Sequence, residues 1–314
     1  LTIWLRANDG AVVYLNGVEI NRYNMPLGPI NYNTYAVLPV DSKWQNIYIP
    51  SNQLISGENV IAVEIHRSLF NNAKISFDLG LGASTNCSDC INTTNLNSAY
   101  IKSIGADRLW NSANRVQGQG IAVAVVDSGI APHNDILNNL DTSRVLQTAR
   151  FGPQTSVDDT NGHGSHVAGI IAGNGARSKG AYMGVAPKAN LIDVKVTDDL
   201  GRSSTSDVVA GLQWIYNNRA AYNIRVVNLS INSSVAESYN TSPLDAALEV
   251  LWFNGIVVVV SAGNNGNTGN GILYPPANDP FVISVGAVND KGTSAITDDE
   301  VASFSAYGVT NEGF

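Results

Sequence analysis

The stretch "NGHGSHVAG", residues 161–169, places His163 between two glycines, with Ser165 and His166 close behind. An imidazole exchanges its proton near neutral pH, so His163 is a candidate general base. Gly162 and Gly164 let the backbone pass close to a neighbour. The small, apolar run "HVAGIIAG" predicts a helix start buried against a sheet. A base in this role works best with a carboxylate holding its other ring nitrogen. Asp127, 36 residues earlier in "VVDSGI", is the candidate. A side-chain amide can donate to an oxygen that gains charge during a reaction, and Asn264 in "VVVVSAGNNGN" is placed for that. Each residue has a plainer reading: Asp127 caps its own turn, His163 is structural, and Asn264 is a good turn former. His166, one helical turn further on, is expected to be structural and to point away from His163.

These candidates must be held by strands. Strand-like apolar runs occur at 121–126 ("IAVAVV"), 191–196 ("LIDVKV"), 225–231 ("RVVNLSI"), 256–262 ("IVVVVSA") and 281–288 ("FVISVGAV"). Near-continuous apolar strands suit a parallel sheet covered on both faces. Helical patterns lie between several of them. In "SDVVAGLQWIYNN", Val208, Leu212, Ile215 and Tyr216 recur at helical spacing behind a capping Ser206. In "SPLDAALEVLWFNG", Ser242 caps, Pro243 takes the first helical position and Gly255 closes the end. From residue 99 onward the chain therefore reads as α/β, a doubly wound, mostly parallel sheet. Asp127 and Asn264 each fall at or just past a strand's carboxyl end, where such sheets bind ligands.

Residues 1–83 read differently, as an all-β jelly roll or sandwich. "AVVYLNGVEI" carries Asn16-Gly17 between two apolar runs, a strong hairpin signal. "NVIAVEIHRS" alternates, with Ile61, Val63 and Ile65 facing one way. "ISFDLGL" is a further strand. Residues 84–98 lack periodicity and read as a linker. The two cysteines, Cys87 and Cys90, lie in it. One CxxC is half of a structural zinc site, so a small disulfide loop in an oxidising compartment is expected.

Composition narrows the partners. The net charge of −8 disfavours nucleic acid and anionic membrane surfaces. The longest apolar run, "IVVVV", is far short of the ~18 residues a membrane span needs, so no span is expected.

"VVDSGI", "GHGSHVAG" and "SAGNNG", in that order, resemble the subtilisin-like serine peptidases, the subtilases. "GVAPKANLIDVKV", "VVNLSI", "LYPPANDPFVISVGAV" and "ASFSAYG" have counterparts in the same family, so the resemblance runs over 99–314. It implies peptide-bond hydrolysis through an acyl-enzyme, with Asp127 orienting the imidazole, His163 as general base and Asn264 donating to the oxyanion. It also implies substrate contacts at Ser230, Ile231 and Asn232, where the family's edge strand pairs with the substrate backbone, and at Ser261, Ala262 and Gly263. The family commonly has glycine where Asn232 stands, which alters the expected specificity pocket. The nucleophile is expected beyond Phe314. Ser294, in "GTSA", is read as a decoy, because "ITDDE" after it is not an apolar helix. No cofactor is required for the chemistry. Structural calcium is an expectation of the family without a located site: the loop 173–184 has no acidic residue, and Asp158 and Asp159 read as solvating a loop.

The pattern "RANDGAVVYLNG…NMPLGP…NVIAVEIH…SFDLGL" resembles galactose-binding-like modules of secreted bacterial enzymes, lacking an opening strand here. This implies secretion, a polypeptide substrate, and a glycan or cell-surface polymer as a further partner. Two rivals remain. "DSG" at 127–129 is also an aspartic-peptidase motif, but it occurs once and leaves "GHGSHVAG" unexplained. A non-catalytic, glycan-binding relative is the other, with Trp4, Tyr14, Tyr23 and Tyr32 as available aromatics, although packing is their commoner use.

Overall fold

The computed structural model describes residues 1–39, 43–49, 53–55, 57–69, 75–82, 90–112, 115–138, 141–153, 156, 158–266 and 273–313. The chain forms two compact units. One holds Leu1–Ile91 and Arg108–Arg115, the other Asn92–Asp107 and Val116–Phe314. Residues 84–89 of the expected linker, Cys87 among them, lie outside the described residues; Cys90 is disulfide-bonded.

The first unit contains β1 (Thr2–Ala7), β2 (Gly10–Leu15), β3 (Val18–Tyr23), β4 (Lys43–Tyr48), β5 (Ile61–His66) and β6 (Phe77–Gly82). They form two three-stranded antiparallel sheets, ordered β4-β1-β6 and β3-β2-β5. Alternate residues of both central strands, Ile3, Leu5 and Ala7 with Ala11, Val13 and Leu15, bury into one cluster that Ile61, Val63 and Ile65 also join. The hairpin forms at Asn16-Gly17, whose φ angles of 51° and 80° are the two positive values a type I′ turn requires. Trp4 packs across β6: a Cβ on Gly82 would lie 2.4 Å from its ring. Tyr23 joins the buried cluster, whereas Tyr32 is exposed.

The second unit opens with α1 (Ala99–Ser103) and the start of α2 (Ala106–Trp110). Its sheet comprises β7 (Ala122–Asp127), β8 (Val145–Arg150), β9 (Asn190–Lys195), β10 (Ile224–Leu229), β11 (Val257–Ser261) and β12 (Ile283–Val285), in the order β12-β11-β10-β7-β9-β8. Every pairing is parallel. The chain starts in the middle at β7, runs to the edge at β8, returns to β9 beside β7, then crosses to β10 and builds outward to β12, which puts the reversal of strand order beside β7. A short antiparallel pair, β13 (Val288–Asn289) and β14 (Glu300–Val301), follows.

Helices α3 (His163–Ala172), α4 (Thr205–Asn218) and α5 (Pro243–Phe253) cover the sheet. All six residues of β7 are buried. Ala122, Ala124 and Val126 pack into the cluster of α4 and α5, while Val123 and Val125 pack with Ala168 and Ala172 of α3. Opposite faces of one strand thus feed two cores, the mark of a doubly covered sheet.

Two details depart from the sequence reading. The cap of α4 is Ser204 rather than Ser206; its side chain accepts from Asp207 N–H, and Ser206 lies inside the first turn. The run 281–288 yields the three-residue β12, with Ile283 and Val285 nearly half exposed, and then only the first residue of β13. Ser242, Pro243 and Gly255 (φ 80°) bound α5 as expected.

Candidate active site

Strand β7 delivers Asp127 to the carboxyl edge of the sheet, and the chain then turns through Ser128 and Gly129 (φ 116°). Helix α3 begins at His163, after Gly162 in the left-handed region (φ 87°). Gly164 shows why this junction has no room for a side chain. A Cβ there would lie 2.2 Å from the Gly129 carbonyl oxygen and 3.1 Å from the Asp127 Cβ. The missing side chain lets the helix start press onto the turn and brings the two functional groups together.

His163 Nδ1 lies 2.7 Å from Asp127 Oδ1 and 2.9 Å from Oδ2. A carboxylate only accepts, so Nδ1 donates and carries the ring proton, leaving the Nε2 lone pair available as a base. Asp127 is 3 % exposed and His163 52 %: a buried orienting carboxylate and an accessible imidazole. Asp127 Oδ1 also accepts from Ser128 N–H at 2.7 Å, so the turn-capping role and the orienting role are one.

Residues that the sequence reading passed over hold this pair. Ser128 Oγ accepts from Gly164 N–H at 2.9 Å, and Ser165 Oγ accepts from Ala131 N–H at 2.8 Å. Each turn is thus stitched to the other. Asp159 does more than solvate a loop. Its Oδ1 accepts from Gly162 N–H, and its Oδ2 accepts from the N–H and the hydroxyl of Ser165, all within 2.9 Å. It satisfies N–H groups at the entry of α3, where a negative charge is favoured. Burial works to raise its pKa, but the hydrogen bonds from Ser165, Gly162 and Ser128 outweigh it and hold the carboxyl below its ordinary value. Lys195 pairs in register with Asp127 and is fully buried. Its Nζ donates to the carbonyls of Ser128 at 2.5 Å and Asp158 at 3.4 Å. A lysine inside an apolar strand, and an acid a few residues before a helix start, were the signals for these two.

Asn264 lies three residues beyond β11, exposed, at the same carboxyl edge as Asp127 but two strands away. Among the described residues, the hydrogen bonds of the His163 ring go to Asp127 alone. Ser230, Ile231 and Asn232 follow β10 and are half-buried. Asn232 Nδ2 donates to the Ser261 carbonyl at 3.0 Å, and Ser261 Oγ donates to Asn232 Oδ1 at 2.8 Å. A Cβ on Gly263 (φ 106°) would meet that same Oδ1 at 3.5 Å. The two segments expected to contact substrate are therefore one bonded unit, and the amide of Asn232 supplies the bond between them. Ser294 sits exposed in a turn-rich segment between β13 and β14 rather than at a helix start. His166 is exposed and lines a groove with His133, Asp135, Ile170 and Met183. Among the described residues no three His, Cys, Asp or Glu side chains converge to hold a metal, and no helix is long and apolar enough to cross a membrane.

The model of the subtilase family, peptidase S8, matches residues 118–314. The serine protease AprX of Bacillus subtilis (strain 168) is 38 % identical over 214 residues, covering 66 % of this chain and 47 % of AprX. The minor extracellular protease Epr of the same strain is 34 % identical over 233 residues, covering 73 % of this chain and 32 % of Epr. Subtilisin Savinase of Lederbergia lenta is 35 % identical over 193 residues, covering 61 % of this chain and 62 % of Savinase. The chain thus spans less than two thirds of each of these relatives.

Proposed function

We propose a function from one premise: the chain belongs to the subtilase family. The complete protein is a serine endopeptidase. A nucleophilic serine, which the described residues do not place beside His163, attacks a peptide carbonyl, and His163 Nε2 takes the hydroxyl proton. Asp127 holds His163 in the useful tautomer and steadies the imidazolium. The Asn264 side chain, with a backbone N–H, donates to the oxyanion. His163 then protonates the leaving amine, and water, activated by the same imidazole, releases the acyl group. Ser230, Ile231 and Asn232 run beside the substrate backbone, and Ser261, Ala262 and Gly263 border the pocket for its side chain.

The observation that carries this reading is the 2.7 Å bond from a half-exposed imidazole to a buried aspartate at the carboxyl edge of the central strand. The first unit serves as a galactose-binding-like module that attaches the secreted enzyme to a glycan or cell-surface polymer. Its support is the sequence resemblance and the pair of antiparallel sheets around one core.

The test is fluorophosphonate labelling and casein hydrolysis by the complete protein. The expected result is one labelled serine and proteolysis that His163→Ala reduces by about 10⁶-fold in kcat, the scale known for subtilisin. An unlabelled, inactive complete protein would overturn this reading and leave the non-catalytic, glycan-binding one.

A further inference from the structure

Asn232 stands where the family commonly has glycine, and the structure shows what the added side chain does. The residue is half-buried just past β10. A single residue at the end of β11 engages both ends of its amide. Nδ2 donates to the Ser261 carbonyl at 3.0 Å, and Oδ1 accepts from Ser261 Oγ at 2.8 Å. The outer torsion of an asparagine is ordinarily broad. Here two bonds fix it, so the carboxamide lies across the gap between the ends of β10 and β11.

The other side of that gap is closed as well. Gly263 has φ 106°, in the left-handed region. A Cβ built there would lie 3.5 Å from Asn232 Oδ1, 3.6 Å from Asn232 Cγ and 3.5 Å from the Ala306 Cβ. Those are ordinary van der Waals contacts, so Gly263, the Asn232 amide and Ala306 leave room for a methyl group and little more. Neither boundary is free to retreat. Ala306 N–H donates to the Gly263 carbonyl at 2.9 Å, and Ser233 N–H, next to Asn232, donates to the Pro275 carbonyl at 2.7 Å. None of residues 230–232, 261–263 and 306 carries a charge, so nothing in these segments would pair with a charged side chain.

We infer that Asn232 is a specificity-determining residue: its pinned amide shortens the pocket for the substrate residue whose carbonyl is attacked, and restricts that residue to glycine, alanine or serine. The inference rests on the reading above, in which segments 230–232 and 261–263 flank the substrate. A larger side chain must displace the amide, which strands the Ser261 carbonyl and hydroxyl without their partner, or stay outside the pocket. Either way its transition state is bound less well than that of alanine.

The test uses peptides that differ only at that residue, with glycine, alanine, leucine or phenylalanine. The complete protein is compared with Asn232→Ala and Asn232→Gly. The backbone at Asn232 lies outside the left-handed region, so both replacements fit its path. The readout is the ratio of kcat/KM for alanine to kcat/KM for phenylalanine. The parent should favour alanine by roughly tenfold or more. Both variants should lower the ratio by about ten- to a hundredfold, chiefly through faster cleavage after phenylalanine. If Asn232 were only a tie between strands, its loss would slow every peptide alike and leave the ratio unchanged. That result, or a parent that prefers phenylalanine, overturns the inference.

A second measurement does not depend on turnover. The same peptides ending in a free carboxylate are cleavage products, and they bind without any nucleophile. Their Kd, from fluorescence anisotropy of labelled peptides, should be lower for alanine than for phenylalanine in the parent, and level or reversed in Asn232→Gly. Equal binding by the parent, or binding of neither, also overturns the inference. An inactive protein that binds the alanine peptide in preference would sink the peptidase reading and keep the pocket. An active protein whose ratio does not move would do the reverse.

Discussion

Two regions of the second unit bury aspartate to the same degree and treat it oppositely. At the β7–α3 junction, Asp127 has Ser128 N–H and His163 Nδ1 as donors, and Asp159 nearby accepts from both Gly162 and Ser165. In the first turn of α5, Asp245 is equally hidden and has neither oxygen bonded. Burial alone therefore does not mark a functional carboxylate. Partners do: a carboxylate whose donors are provided by the chain is set to orient something.

The contrast is broken most directly at Asp127. Asp127→Asn keeps the shape but replaces one acceptor with a donor, which favours the wrong tautomer of His163. In the complete protein kcat should fall about 10⁴-fold. Steady-state peptide hydrolysis measures this, with Asp245→Asn as the comparison, expected to leave kcat near the parent's. A comparable loss in both would erase the distinction.

A smaller effect, on stability, tests how closely the junction is packed. Gly164→Ala pushes a methyl against the Gly129 carbonyl, which is backbone and cannot swing aside. The cost should be about 1–3 kcal/mol or more in urea unfolding. A Cβ on Gly169, in the same helix, would meet nothing within 4 Å. Gly169→Ala should be neutral or stabilise by roughly 0.5–1 kcal/mol. Equal effects at both positions would mean that helix propensity, not close approach, explains the glycine at 164.

Much of this site was legible because its geometry is written locally. "DSG" ends a strand in a sharp turn, and "GHG" opens a helix with glycines where backbones touch. The supporting residues were harder to read. Lys195 bonds to the carbonyls of Ser128 and Asp158, 67 and 37 residues away, and carbonyl acceptors leave no trace in residue type. The run "SSTSD" offers several cap candidates, and only the backbone, extended at Ser204 with ψ 153°, selects one. "FVISVGAV" is apolar enough for a long central strand, yet β12 pairs with β11 alone among the described residues, so apolar content overstated its length and burial. Asn232 departs from the common glycine, and the sequence could not foresee that its amide would join the ends of β10 and β11.

The gentlest test concerns Asp159, the well-partnered acid that the sequence reading undervalued. Ser165→Ala removes the hydroxyl that donates to Asp159 and the acceptor that holds Ala131 N–H. Losing a cap of this kind should cost about 1 kcal/mol, with kcat little changed because the His163–Asp127 bond remains. The pH dependence is the sharper readout. A carboxyl whose folded pKa lies below its unfolded value contributes stability that is complete above the unfolded pKa of about 4 and is lost as pH falls through the folded one. The variant raises the folded pKa of Asp159 toward its ordinary value, because the strongest lowering bond is gone while burial stays. Its acid-unfolding midpoint should therefore move to higher pH, followed by circular dichroism. An unchanged midpoint would show that the backbone N–H groups of residues 162 and 165, with Ser128, suffice to hold Asp159, and that the Ser165 hydroxyl serves only the Ala131 turn.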